Sequence, residues 1–269
     1  LYPLSGVSNK LTLNCNENGF FSSYVSDRHG FNNPNYLWDE KNISLLLIGD
    51  SFTHGACVNY ENTFAGNLNL KKKTISLGYG GNGPLIEYAT LREYIKIIKP
   101  KKVLWFFAEK NDLPDLSKEY SNYVLKKYLE QPDFSQLLVE KQKIVDEIQT
   151  TNIEKEFIKF QKKKDAIFYF ADYKIKDVFF LNHLRRFFSW RLQIDLTPEE
   201  IIKNEDYKLF KEIMLKSKKE VIKNNAELIF VFMPFYPGIK KNTERYENYL
   251  KILKIIDDLN INTIDLQKL

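Results

Sequence analysis

The sequence predicts an α/β protein built on a parallel sheet, and three observations support this fold class. Residues 45–48 are an unbroken aliphatic run, which is typical of a strand buried on both faces. Residues 84–98 place apolar side chains at helical spacing and begin with a proline, as the first turn of a helix often does. Such strands and helices alternate along the chain, and this alternation favours a parallel sheet with helices on both faces.

Five segments are predicted as core strands, and right-handed connections between them leave few possible topologies. The simplest is a three-layer, flavodoxin-like sheet with strand order 2-1-3-4-5. The helices that alternate with the strands are predicted at 84–98, 206–223 and 244–259. The predicted strands are 43–48, 74–77, 103–108, 227–233 and 262–266.

Two segments of the predicted single domain, residues 1–269, lie outside this repeat. Residues 1–40 are rich in Asn, Gly, Ser and Tyr, so we expect an arm of loops and short strands. Residues 113–205 are far longer than one connecting helix requires, which predicts a helical insertion overhanging the carboxyl ends of the strands. Its amphipathic segments are 134–149, 153–164 and 179–194, with a further helix start at 197–200.

Composition narrows the classes of function. The 40 basic and 35 acidic residues give a net charge of +5, and the lysines are spread over many segments, so we expect no nucleic-acid partner. The sequence has no run of about eighteen apolar residues, so we predict no membrane span in it. The chain begins with Leu1, from which we expect a mature form or a part of a longer protein.

The two cysteines, Cys15 and Cys57, have neither metal-binding nor redox spacing. We expect two buried free thiols. The alternative is one disulfide that joins the N-terminal arm to the turn after Ser51, which would suit an extracytoplasmic compartment.

Polar and glycine-rich blocks follow the first three predicted strands, at the sheet edge where ligands bind in open α/β folds. Ser51 is placed there as a candidate nucleophile. The backbone N–H groups of Ser51 and Gly81, with the side-chain amide of Asn111, are candidate donors to an oxyanion. The blocks are 49–51, 76–84 and 107–113.

Each candidate also has a purely structural interpretation. Ser51 could cap a helix, Gly81 could serve a turn, and Asn111 could cap the following segment. Asp50 and Asp112 are expected to bind local backbone groups rather than to act as bases.

In these three blocks the chain resembles the SGNH (GDSL-type) hydrolases. The family's motifs match as Gly49-Asp50-Ser51, Gly81 and Asn111-Asp112, and the resemblance covers the five-strand core, roughly half of the chain. It implies hydrolysis or transfer of acyl groups, commonly acetyl esters on carbohydrates, with no metal and no cofactor. Residues 26–34 also resemble a lead-in of bacterial, often secreted, members, which implies a periplasmic, secreted or membrane-anchored protein, with a cytoplasmic location as the alternative.

The sequence departs from the family pattern in two places. Members usually have glycine before the third-block Asn, whereas Glu109 and Lys110 precede Asn111 here. The family's Asp and His follow the fifth strand, but the last histidine of this chain is His183. We therefore expect the sequence to stop short of that block, and the 269 residues alone to be almost inactive, because loss of a triad member costs orders of magnitude in rate.

None of the three histidines is expected to be the catalytic base, and His183 is expected to be a surface or interface residue. His54 lies three residues after Ser51 and would share a helical face with it, so it is a minor candidate for catalysis. His29 lies in the arm, and His183 lies beside two arginines in the insertion. No pair of histidine and carboxylate has metal-ligand spacing, so we predict no metal.

The sequence thus predicts a serine esterase or O-acyltransferase that acts on acyl esters of an extracellular or envelope glycan. The first alternative is a binding module that keeps the fold and lacks the base. The second is a scaffold that uses the aromatic insertion as a partner surface.

Overall fold

A five-stranded, all-parallel sheet forms the centre of the protein. The structure is a computed structural model that describes residues 1–15, 21–165, 202–235, 238–241 and 243–268. The sheet has the predicted strand order 2-1-3-4-5. An antiparallel hairpin of β1 (Leu11–Leu13) and β2 (Ser23–Val25) precedes it. The sheet strands are β3 (Leu45–Ile48), β4 (Thr74–Ser76), β5 (Lys102–Ala108), β6 (Glu227–Met233) and β7 (Asn262–Asp265).

Helices follow the strands as the alternating pattern predicts. The three predicted core helices are present, and their bounds differ from the predicted ones by no more than two residues. Two short helices lie between β3 and β4. The described helices are α1 (Ser51–His54), α2 (Phe64–Asn69), α3 (Pro84–Ile98), α4 (Asp112–Tyr120), α5 (Tyr123–Glu130), α6 (Gln142–Asp165), α7 (Asn204–Lys223) and α8 (Glu244–Asp258).

The side chains of strand β3 show why the sheet lies between two layers of helices. Its four residues are buried, and alternate side chains of a strand point to opposite faces. Leu46 and Ile48 join a large core cluster with residues of α3, α7 and α8. Leu45 and Leu47 join a smaller cluster with Ala65 of α2. Apolar side chains on both faces of one strand therefore fix it between two layers of helices.

The chain divides into two compact units, Leu1–Asp146 with Ile202–Leu269, and Glu147–Ile201. The sheet and the three polar blocks belong to the first unit. The described part of the second unit is the carboxyl-terminal portion of α6. Within the described residues, no helix is both long and apolar enough to cross a membrane.

The predicted helices at 134–149 and 153–164 were wrong in their bounds. Residues 131–141 are irregular, and α6 then runs without a break through the predicted gap. The buried Glu93 carboxylate accepts the backbone N–H groups of Gln136 and Leu138 at 2.7 and 3.0 Å. These tertiary hydrogen bonds replace the bonds that a helix would supply. Helices α4 and α5 were not predicted, and the predictions at 179–194 and 197–200 lie outside the described residues.

The expectation of two free thiols was wrong, because Cys15 and Cys57 form a disulfide. Their Cα atoms lie 4.9 Å apart although 42 positions separate them in sequence. The bond joins the hairpin of the arm to the turn that follows α1. Nothing in the spacing of two cysteines reveals this proximity, which depends on how the arm folds back over the sheet.

Replacing both cysteines, Cys15→Ser with Cys57→Ser, is expected to lower the free energy of unfolding by about 2–4 kcal/mol, since the crosslink restricts the unfolded chain. Urea unfolding with and without a reductant measures the loss. Reductant should lower the midpoint of the wild type and leave that of the double variant unchanged. Equal midpoints for both proteins in every condition would contradict a stabilising crosslink.

Candidate active site

The three polar blocks meet at the carboxyl edge of the sheet. The Gly49 carbonyl, directly after β3, accepts a hydrogen bond from the Tyr79 N–H at 3.2 Å. The Asn111 side-chain amide, after β5, donates to Asp50 Oδ2 at 3.0 Å. The first block therefore bonds directly to the second and to the third.

Ser51 is the first residue of α1 and is half-buried. The residue that caps this helix is Asp50, whose Oδ1 accepts the Phe52 N–H at 2.9 Å. The capping role considered for Ser51 thus belongs to its neighbour. A Cβ atom built on Gly80 would lie 3.9 Å from Ser51 Cβ, so the glycine block passes directly beside the serine.

Gly81 occupies a turn in which the Asn82 N–H bonds to the Tyr79 carbonyl at 3.3 Å. Its φ of +83° is one that favours glycine. A Cβ atom at this position would meet no heavy atom within 4 Å. The turn interpretation therefore holds, and the Gly81 backbone also borders open space that a substrate could enter.

Asn111 immediately precedes α4 but makes no side-chain cap with it. Its amide is directed to Asp50 instead. Asp112, which is fully buried, accepts the Ala108 N–H through Oδ2 at 3.1 Å and so orders the loop. Burial raises the pKa of Asp50, and the hydrogen bond from Asn111 opposes that shift.

His54 is held by aromatic residues. Its Nε2 atom is hydrogen bonded to the Tyr24 hydroxyl at 3.0 Å, and its ring stacks on Tyr79 with centroids 5.2 Å apart. Burial lowers the pKa of His54 to about 4. A base of such low pKa is poorly matched to proton transfer at neutral pH.

His29 packs its ring against Trp38, with centroids 4.3 Å apart, and against Tyr94. Burial lowers its pKa as well. His183 lies outside the described residues. Within the described ranges, no group of three His, Cys, Asp or Glu side chains is arranged to hold a metal ion.

A cluster of buried carboxyl groups, which sequence reasoning missed, lies behind the Asp50–Asn111 pair. Glu87 of α3 and Asp112 are fully buried, and the negative charge of Asp112 acts on the Glu87 carboxyl. Burial, and then the charge of Asp112, holds the pKa of Glu87 well above its usual 4.5. The signal in the sequence was a carboxyl residue on the same helical stripe as the buried Leu91 and Tyr94.

Glu119 of α4 joins the glycine block to this cluster. Its carboxylate accepts the backbone N–H groups of Gly83 and Leu85 at 2.6 and 2.9 Å, and so caps the start of α3. Burial raises the pKa of Glu119 to about 7, and the backbone hydrogen bonds oppose the shift. These two hydrogen bonds hold the end of the glycine block against α4.

Replacing Glu87 with glutamine is expected to stabilise the protein above pH 5. Folded Glu87 keeps its proton at pH values where the unfolded chain, with a pKa near 4.5, has lost it. The folded state then binds more protons, so the free energy of unfolding falls as pH rises above 4.5, by up to about 1.4 kcal/mol per unit. Below pH 4.5 Glu87 is protonated in both the folded and the unfolded state, so it no longer lowers the free energy of unfolding.

Urea midpoints at pH 5 and pH 8 measure this effect. The Glu87→Gln variant should lose less stability than the wild type between the two pH values. Glu130→Gln, at an exposed position, is the matched control and should follow the wild type. A variant less stable than the wild type at pH 8 would overturn the prediction.

Comparisons with known proteins add little to this geometry. No family model matches the sequence, and no curated protein matches it. Among solved structures, the chain is similar to the crystal structure of a "putative acylhydrolase" from Bacteroides fragilis, with 10% sequence identity and a TM-score of 0.37. The match covers 84% of this chain and 69% of that one.

Proposed function

We propose that the protein is a serine esterase or O-acyltransferase that acts on acyl esters of an extracellular or envelope glycan. Ser51 is the nucleophile. The N–H groups of Ser51 and Gly81 and the amide of Asn111 bind the oxyanion. The observation that carries this proposal is the meeting of the three loops around Ser51, with Gly80 beside it and Asn111 bonded to the adjacent Asp50.

In the first step, Ser51 Oγ forms a bond to the acyl carbon, and the bond from that carbon to the alcohol oxygen breaks. The hydroxyl proton passes through a general base to the departing alkoxide. Water or a second hydroxyl then attacks the acyl-enzyme, releases the acid or a new ester, and returns a proton to Ser51. In each step negative charge develops on the carbonyl oxygen, where N–H donors stabilise it.

Asp50 acts as a positioning residue in this proposal. An Asn amide has two N–H bonds, and Asp50 accepts one of them from Asn111. That bond fixes the amide plane, so that the second N–H is held in one direction, toward the oxyanion. The backbone bond from Phe52 holds the Asp50 carboxylate in turn.

The general base is neither His29 nor His54 in this proposal, since both rings are packed against aromatic side chains. The resemblance to SGNH hydrolases assigns the base to an Asp/His pair after the fifth strand, and no histidine follows His183 in residues 1–269. We therefore expect residues 1–269 by themselves to turn over esters slowly, because a serine nucleophile without its base loses orders of magnitude in rate. The Cys15–Cys57 disulfide supports an extracytoplasmic location.

Covalent labelling tests the nucleophile. A fluorophosphonate probe should lose fluoride and form a phosphorus–oxygen bond at Ser51, which peptide mass spectrometry locates. Ser51→Ala should remain unlabelled, and Ser121→Ala, an exposed serine on α4's carboxyl end, should label as the wild type does. Absence of label at Ser51 in the protein from the whole reading frame, together with no ester turnover, would favour the binding module instead.

A further inference from the structure

A cavity of about 300 Å³ opens beside the proposed oxyanion site. We name it the Phe235 pocket. It lies at the carboxyl edge of the sheet, where Ala108 and Met233 end the adjacent strands β5 and β6 in register. Its lining includes Phe52, Ala108, Asn111, Met233, Phe235 and Leu266.

The pocket is bordered by one proposed catalytic residue, Asn111, and by the residue that follows Ser51 in sequence. Phe52 directly follows Ser51, and Asn111 is the proposed side-chain donor to the oxyanion. The cavity is therefore available to one substituent of a carbonyl carbon that is bound between Ser51 and Asn111. Glu109 and Lys110 also line the cavity. Its other walls beyond Asn111 are aliphatic, aromatic and thioether side chains, which favour an apolar group.

The two residues that depart from the family pattern hold one wall of the pocket. Glu109 Oε2 accepts the Phe235 N–H at 2.9 Å. Arg245 donates to both Glu109 carboxylate oxygens at 2.7 Å and to the Phe235 carbonyl at 3.1 Å. Lys110 Nζ lies 4.7 Å from the centroid of the Phe235 ring. A nearly buried ion pair and a cation–π contact thus fix this aromatic ring in place.

We propose that the Phe235 pocket binds the acyl chain of the ester, and that this chain is several carbons longer than acetyl. The inference rests on the proposed function. An acetyl methyl group would leave most of a 300 Å³ cavity unfilled, and the unfilled walls would lack contacts. Each added methylene that enters the pocket should raise kcat/KM about fourfold, by removal of apolar surface from water.

The test uses p-nitrophenyl acetate, butyrate and hexanoate with the protein from the whole reading frame. We expect kcat/KM to rise from acetate to hexanoate. In Phe235→Ala the ratio of hexanoate to acetate should fall at least about tenfold, because that side chain is a wall of the pocket. Phe64→Ala is the matched control, since Phe64 and Phe235 are 42% and 40% exposed, and it should keep the wild-type ratio.

Leu266→Ala is a second variant in case the first fails to fold, and it should lower the same ratio. A kcat/KM for the acetate ester equal to or above that for the hexanoate ester would overturn the pocket assignment. The proposed function would still stand if that turnover depends on Ser51. An unchanged ratio in both folded pocket variants would also overturn the pocket assignment. Absence of turnover of every ester, with no label at Ser51, would overturn the function and the pocket assignment together.

Discussion

Replacing Ser51 with alanine is expected to lower kcat/KM for an acyl ester by at least about a thousandfold in the protein from the whole reading frame. Alanine has no oxygen with which to form the acyl-enzyme. The rate that remains should come from the oxyanion donors and substrate binding. The measurement is initial-rate hydrolysis of p-nitrophenyl hexanoate, with the enzyme concentration set by absorbance.

The fold should survive this substitution. Asp50, not Ser51, caps α1, and the Ser51 side chain is only half-buried. The free energy of unfolding of Ser51→Ala, measured with urea, should therefore stay within about 0.5 kcal/mol of that of the wild type. Ser121→Ala, which loses an exposed hydroxyl, controls for the general effect of removing an oxygen. Equal rates in Ser51→Ala and the wild type would remove the nucleophile from the proposal.

The sheet could be predicted from the sequence because its signals are local. The run at Leu45–Ile48 is apolar on both faces, and Pro84 opens a helix whose apolar positions have a clear period. The handedness of the connections then left few topologies, and the simplest of them has the observed strand order. Residues 131–141 could not be predicted, because the buried carboxylate of Glu93, from a distant helix, satisfies their backbone N–H groups.

The candidate site also has one part that the sequence could predict and another that it could not. Strand order alone places the loops after β3, β4 and β5 on one edge, so the neighbourhood of Ser51 and Asn111 follows from topology. The partner of each side chain does not follow from topology. Three hydrogen bonds join residues that are 30 to 126 positions apart. They are Tyr24–His54, Asp50–Asn111 and Glu109–Phe235. Only the folded chain shows them.

Replacing Asn111 with alanine is expected to lower kcat about a hundredfold to a thousandfold, the usual loss for one oxyanion donor. The substitution also leaves Asp50 Oδ2 without its amide donor, and this should raise the pKa of Asp50 further above its ordinary value. The measurement is the full kinetic profile with one ester, so that kcat and KM are obtained separately.

A donor that acts on the developing charge should change kcat far more than KM, because the interaction strengthens in the transition state. Asn122→Ala is the matched control. Asn122 caps α5 by accepting the Val124 and Leu125 N–H groups, so its loss destabilises a helix end without removing a donor from the site. If Asn111→Ala were to lower stability as Asn122→Ala does and leave kcat unchanged, the Asn111 amide would serve only to hold Asp50. The oxyanion would then have the two backbone donors alone.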